Sequence, residues 1–278
     1  MKRLFYDIET SKAIGTFWRA GWKKTITYKD ILFYPKIICI CYKWEHEDKV
    51  HSLVWDKGND KEMIKTFVPI LESADEIVSH NGGKFDQPWI RTQAIFYRIP
   101  MSPDLSEFDT LKNAAKGRAG KGFNFQSNRL DALCEFFGIP GKIPTNTALW
   151  DDITKPAFLP SVFPITKQYY KQLKYMVKYC KIDVKRLESV FHIFKPYVAM
   201  KVHEGVAMGG NRWDCQKCGS GDTYANKEKI TAGGMKKIQW YCPKCVPGKR
   251  TYSHTTAKTV LHARNRWLTD RDEFNDKL

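Results

Sequence analysis

Hydrophobic and polar positions change their spacing along the chain in a way that predicts strands first and helices later. Leu4–Ile8 is a short, mostly apolar run that reads as a strand. Lys36–Trp44 is almost continuously apolar, which suggests a buried strand, and Lys49–Trp55 reads as another. Met63, Phe67, Ile70 and Leu71 recur at helical spacing and predict a helix over Lys61–Glu72. Glu76–Ser79 is a short strand and Gln87–Tyr97 a helix. Glu107–Asp109 reads as a strand end leading into a short helix. Leu130–Phe137 is helical and stopped by Gly138 and Pro140, both helix breakers. Ile165–Tyr197 is a long helical region. Strands alternating with helices predict an α/β fold, a mixed sheet flanked by helices. After Pro196 the chain turns small and glycine-rich, through Gly205, Gly209 and Gly210. A linker at about 200–210 therefore divides a domain of residues 1–200 from a tail of residues 201–278.

Charge changes this picture. The 278 residues carry 46 Lys and Arg against 30 Asp and Glu, a net charge of +16. The tail is the more densely basic piece, with 15 Lys and Arg against 8 Asp and Glu. Such a balance points to a polyanionic partner, nucleic acid before a membrane surface. No apolar run approaches the ~18 residues of a membrane span. Asp7 and Glu9 interrupt any signal-peptide core at the start. The expected compartment is the reducing cytoplasm, so the 8 cysteines call for an explanation other than disulfides.

Three placements of acidic residues stand out. Asp7 and Glu9 lie two apart on an apolar strand, so both point to one face of the sheet. Two carboxylates there are costly unless a cation sits between them; the alternative is an exposed strand end. In Glu76–Asp86 a strand runs through His80-Asn81-Gly82-Gly83 into a helix whose first turn carries Asp86. Open α/β sheets build sites in such loops, although an acid there also favours the helix dipole. Tyr179 and Asp183 are four apart on a helix and share a face. They present either a surface hydrogen bond or a phenol and a carboxylate aimed at one pocket.

Together FYDIETS, SHNGGKFDQ and YCKIDV resemble the three motifs of the DEDD 3′–5′ exonucleases, in the tyrosine-containing DEDDy subgroup of the DnaQ-like branch of the ribonuclease H-like fold. The resemblance covers about residues 3–195, with softer matches at FDTLKN and NRLDALCEFFGI. It implies a ribonuclease H-like mixed sheet and a stand-alone nuclease. It also implies two Mg²⁺ or Mn²⁺ ions, which stabilise charge on the attacking and leaving oxygens of a phosphodiester. By resemblance, Asp7 bridges both ions, Glu9 and Asp183 hold the one that activates water, and Asp86 supports the other. Tyr179 orients the attacking water. Asn81 contacts the scissile phosphate or the last sugar, unless it only caps the loop, and Thr10 and Ser11 border the terminal nucleotide. His80 is read as a loop histidine.

The cysteines fall into two groups. Cys215-Gln-Lys-Cys218 and Cys242-Pro-Lys-Cys245 read as two knuckles completing one structural, tetrahedral Cys₄ Zn²⁺ site, a zinc ribbon. Such an ion supplies folding energy that a small core lacks, roughly 10–16 kcal/mol apparent. Cys39, Cys41, Cys134 and Cys180 are scattered and read as packing, with Cys180 pointing off the Tyr179–Asp183 face. Trp213, Tyr224, Trp240, Tyr241 and Tyr252 stand among the basic residues of 212–258, a pattern that suits single strands; they could equally fill a small core. A similar patch, Phe17–Lys24, either flanks a groove or forms an ordinary hairpin. The expected substrate is single-stranded DNA or RNA, DNA favoured, cut to nucleoside monophosphates. The rival readings are a binding protein on an inactive exonuclease fold and a structure-selective endonuclease. The ribbon holds either nucleic acid or a docking protein.

Overall fold

The computed structural model describes residues 1–17, 26–115, 122–141, 143–198, 202–211, 213–230 and 236–244. It divides into two compact units, Lys2–Ala199 and Met200–Leu278 with Met1. No helix among the described residues is long and apolar enough to cross a membrane.

The first unit is built on β1 (Arg3–Thr10), β4 (Ile37–Trp44), β5 (His51–Val54), β6 (Glu76–Ser79) and β7 (Glu107–Asp109), in the order β5-β4-β1-β6-β7; β2 (Ile14–Gly15) and β3 (Ile31–Phe33), between β1 and β4 in the chain, form a separate antiparallel pair. β4 runs antiparallel to β1 and to β5, whereas β6 is parallel to β1 and β7 parallel to β6. The helices are α1 (Lys61–Glu72), α2 (Asp86–Phe96), α3 (Thr110–Ala114), α4 (Leu130–Phe136), α5 (Thr147–Phe158) and the 28-residue α6 (Lys167–Phe194). This is the expected mixed sheet flanked by helices.

Period-2 geometry explains the layers. Phe5 of β1 faces α6, with its ring 5.4 Å from that of Phe191. Tyr6 faces the other side, 5.7 Å from Phe67 of α1. Phe108 of β7 meets the same Phe191 at 4.9 Å. Leu4, Phe5, Ile37, Ile38, Ile40, Phe67 and Phe191 are fully buried, so burying apolar area holds both helices to the sheet. Asp7 and Glu9 alternate with Phe5 and therefore share the α6 side.

The hydrophobic pattern did not reveal α5. Its N-cap, Asn146, accepts a hydrogen bond from the Leu149 amide at 3.3 Å, while Pro156 stands in its last turn. Proline there masks a helix that is already ending.

The second unit contains the one-turn helix α7 (Glu204–Ala207) and a hairpin of β8 (Tyr224–Ile230) and β9 (Lys236–Tyr241).

Candidate active site

The side of β1 that faces α6 carries Phe5, Asp7 and Glu9 in sequence toward its C-terminal end. β6 is parallel to β1, so the loop leaving β6 emerges at that same end. The loop folds tightly. Ser79 Oγ accepts from the Gly82 amide at 3.2 Å and donates to Glu107 Oε1 at 2.8 Å. A Cβ on Gly82 would lie 2.2 Å from Ser79 Oγ, so only glycine fits there. Asn81 takes the left-handed conformation (φ +69°), and its amide donates to Asp109 Oδ1 at 3.0 Å. The turn delivers Asp86 as the first residue of α2. From the third side α6 brings Tyr179 and Asp183, and the phenol hydrogen-bonds to the Asp183 carboxylate.

Four carboxylates from three elements thus meet. Asp86 and Asp183 are buried, Asp7 and Glu9 half-buried. Loss of water raises the Asp7 pKa well above the usual carboxylate range, and repulsion by Asp86, Glu9 and Asp183 raises it further. Burial, then Asp183 and Asp86, push Glu9 up to about 8. Burial pushes Asp86 up to about 7, against amide hydrogen bonds that include one from Ile8. Asp183 is raised by burial and held back by Arg186. The Tyr179 phenol is raised by burial and then by Asp183.

The donor set suits a hard divalent cation. Its ligands are carboxylate oxygens, and Asp86 Oδ1 is buried without a hydrogen-bond partner among the described residues. A cation would relieve both the repulsion and that orphaned atom.

Other positions are less committed. Thr10 is half-exposed at the end of β1, where the register with β4 slips after Glu9. His80 Nδ1 lies 2.9 Å from Thr110 Oγ1, and burial lowers its pKa, which agrees with a loop histidine.

Sequence reasoning passed over Arg186. This buried guanidinium donates from Nη1 to Asp183 Oδ1 at 3.0 Å and to Asp131 Oδ1 at 2.7 Å, fixing one carboxylate of the cluster. Its i+3 offset from Asp183 was the available signal.

Two thiol triads could each bind a metal such as zinc. Cys215, Cys218 and Cys242 place their sulfurs within 4.8 Å of one another, with Cys218 and Cys242 3.7 Å apart. The knuckle is formed: the Lys217 amide points at Cys215 Sγ at 3.4 Å, and Gly219 has the positive φ expected there (+68°). Cys245 lies outside the described residues, as do Tyr252 and residues 18–24 of the Phe17–Lys24 patch. Trp240 is buried, so it fills the core, whereas Tyr224 is exposed.

The other triad is Cys39, Cys41 and Cys180, all fully buried. In the β1–β4 register Cys39 pairs with Glu9 and Cys41 with Asp7. Cys180 turns away from the carboxylates' pocket, its thiol donating to the Asp7 carbonyl at 3.4 Å.

No protein-family model and no curated protein matches the chain. Among solved structures it is similar to the family B DNA polymerase of the hyperthermophilic archaeon Pyrobaculum calidifontis, at 16% identity and a TM-score of 0.45. The similarity covers 70% of this chain and 24% of the polymerase chain.

Proposed function

We propose that the chain is a metal-dependent 3′–5′ exonuclease that shortens single-stranded nucleic acid, DNA in preference to RNA, releasing nucleoside monophosphates. The observation that carries the reading is the convergence of Asp7, Glu9, Asp86 and Asp183, whose pKa values are raised by burial and mutual repulsion even though Arg186 pairs with Asp183. These four would hold two Mg²⁺ or Mn²⁺ ions. When bound, such ions supply Lewis-acid stabilisation of the phosphate and a more acidic water. The protein's own groups do the positioning. Tyr179 gives its single proton to Asp183, so its phenol oxygen would orient the attacking water by accepting from it, and its high pKa keeps the phenol neutral. Arg186 holds Asp183 in place from behind. Asn81 and Thr10 border the terminal nucleotide. Residues 1–200 carry the chemistry, and the tail carries a Cys215–Cys218–Cys242–Cys245 zinc ribbon that adds nucleic-acid contact.

The test is a 5′-labelled oligonucleotide with Mg²⁺. A ladder shortening from the 3′ end is expected. A gel shift without cleavage would favour a binding protein, and a discrete internal cut an endonuclease. Matched DNA and RNA strands in the same assay fix the sugar preference.

A further inference from the structure

All six lysines of α6 fall on one line. Lys167, Lys171, Lys174, Lys178, Lys181 and Lys185 are separated by four, three, four, three and four residues. At 3.6 residues per turn that spacing keeps them within about 40° of a single line, over about 27 Å. Five of them are exposed and Lys181 is half-buried. Among the described residues none of the six is in an ion pair. Glu188, at the end of the stripe, pairs with Lys43 of β4 instead. A groove of ≈ 420 Å³ runs beside them, lined by Val50, Val177, Ile182 and four of the lysines.

Helix stability does not explain the pattern. Like charges at i+3 and i+4 destabilise a helix, and the stripe contains five such neighbours in a row. A merely solvated face would be improved by a glutamate at any of them. The charge therefore answers to something outside the chain.

We infer that this face of α6 is a second nucleic-acid surface, which holds the sugar-phosphate backbone of a duplex segment without reading its sequence. The inference rests on the exonuclease reading for its choice of polyanion, and it adds a place and a form of substrate. The stripe lies about 120–160° around the helix from Tyr179 and Asp183. What binds there is therefore not the few nucleotides at the carboxylates but a more distant part of the substrate. Of the rings that flank the line, Tyr175 is half-buried with its hydroxyl donating to the Pro144 carbonyl at 2.7 Å, which leaves Tyr170 as one exposed ring beside six lysines, whereas single-strand sites pair cations with successive rings for stacking. A duplex offers one charge per ≈ 1.7 Å of axis, about sixteen over the length of the stripe, and asks only for positive charge.

The experiment uses the full chain with Lys171, Lys174, Lys178 and Lys181 all changed to Gln. Glutamine keeps helix propensity and removes the repulsion, so the variant should melt no lower than wild type. Binding is measured in EDTA, where no turnover occurs, to a hairpin duplex with a short 3′ overhang and to the overhang sequence alone. The variant should bind the hairpin at least ~10-fold more weakly at moderate salt, with a log–log salt slope shallower by up to about 3.6, since each of the four lost phosphate contacts removes about 0.9. Binding to the short single strand should be unchanged. Unaltered hairpin affinity and slope in a folded variant would overturn the inference. So would equal losses on both substrates, or a loss confined to an acidic polypeptide or to anionic vesicles. These readouts are independent of nuclease activity; a failure of the exonuclease reading would appear instead as no 3′ shortening with Mg²⁺.

Discussion

The carboxylate cluster of the first unit and the Cys215–Cys218–Cys242 cluster of the second both gather groups that want a cation, yet they are supported in opposite ways. The carboxylates come from residues 7–9, 86 and 183, brought together by a five-stranded sheet and a 28-residue helix over a core of Phe5, Phe108 and Phe191. That core does not depend on the cluster, so the fold can carry four acids in repulsion. The thiols stand on a knuckle and at the end of a hairpin, and Cys215 and Cys242 are themselves buried, as is Trp240. There the ligands are part of the core. Removing a ligand should therefore cost function in one region and structure in the other.

The largest expected effect follows directly. Asp7→Ala or Asp183→Ala should abolish nuclease activity, and so should EDTA; in Asp7→Ala the first unit keeps its thermal transition or melts higher as repulsion is relieved, whereas Asp183→Ala also takes a partner from the buried Arg186 and should melt somewhat lower. Near-normal turnover by either variant would break the assignment of the acids. Tyr179→Phe should come next. It removes one hydrogen bond to the nucleophile but keeps the ring, and positioning and acid–base roles are worth about 10²–10⁴-fold. An unchanged rate on a single strand would remove the phenol from the mechanism.

The thiol cluster should show the reverse signature. Cys242→Ser should lose zinc and expose the second unit to protease, because the metal-binding free energy there is folding free energy. The acid-dependent chemistry should survive with weaker substrate binding. A variant that stays protease-resistant without zinc would erase the contrast between the two regions.

Acidity sharpens it further. In the metal-free protein Glu9 titrates near 8 and Asp86 near 7, far above the roughly 4 of an unfolded carboxylate. The folded state therefore holds these protons more tightly than the unfolded chain. The stability this confers is complete below about pH 4 and is lost as pH rises through 7 and 8. In EDTA the melting temperature of the first unit should fall by several degrees between pH 6 and 8.5, and Glu9→Gln should flatten that fall. Mg²⁺ should flatten it as well, by replacing protons with a cation. A melting temperature that rises over this range would contradict the crowding of the carboxylates.

Much of this was legible in the residues. Lys61–Glu72 and Glu76–Ser79 have the predicted bounds, because their apolar runs are clear and polar residues flank them, and Glu107–Asp109, read as a strand end, is a three-residue strand. The convergence of Asp7, Asp86 and Asp183 was reached through motif order, since spacing alone cannot bring three distant segments together. Arg186 and the lysine stripe were visible only in helix register, which appears once α6 is known to run unbroken for 28 residues. Helix α5 was hidden by Pro156, and β8 by its largely polar sequence, Tyr-Ala-Asn-Lys-Glu-Lys-Ile.

The smallest expected effect concerns the second thiol triad. Cys39, Cys41 and Cys180 are as close together as Cys215, Cys218 and Cys242 but are closed to water, with Cys41 and Cys39 cross-strand from Asp7 and Glu9 on the same face of the sheet. Hydrogen bonds from Cys180 and Cys39 lower the Cys41 thiol to about 5, whereas Cys39 and Cys180 are raised, so a single proton is the most the triad gives up readily; ionising further thiols would add negative charge where four carboxylates already repel one another. Neutral thiols, by contrast, pack as small apolar groups and donate weakly, as Cys180 does to the Asp7 carbonyl. Cys180→Ala should therefore leave zinc at about one per chain and cost only about 1 kcal/mol of stability, the loss of one small buried group. Zinc near two per chain, falling to one in Cys180→Ala and to one again in Cys242→Ser, would show that the core triad is a second metal site and that the contrast lies between carboxylates and thiols everywhere in the chain.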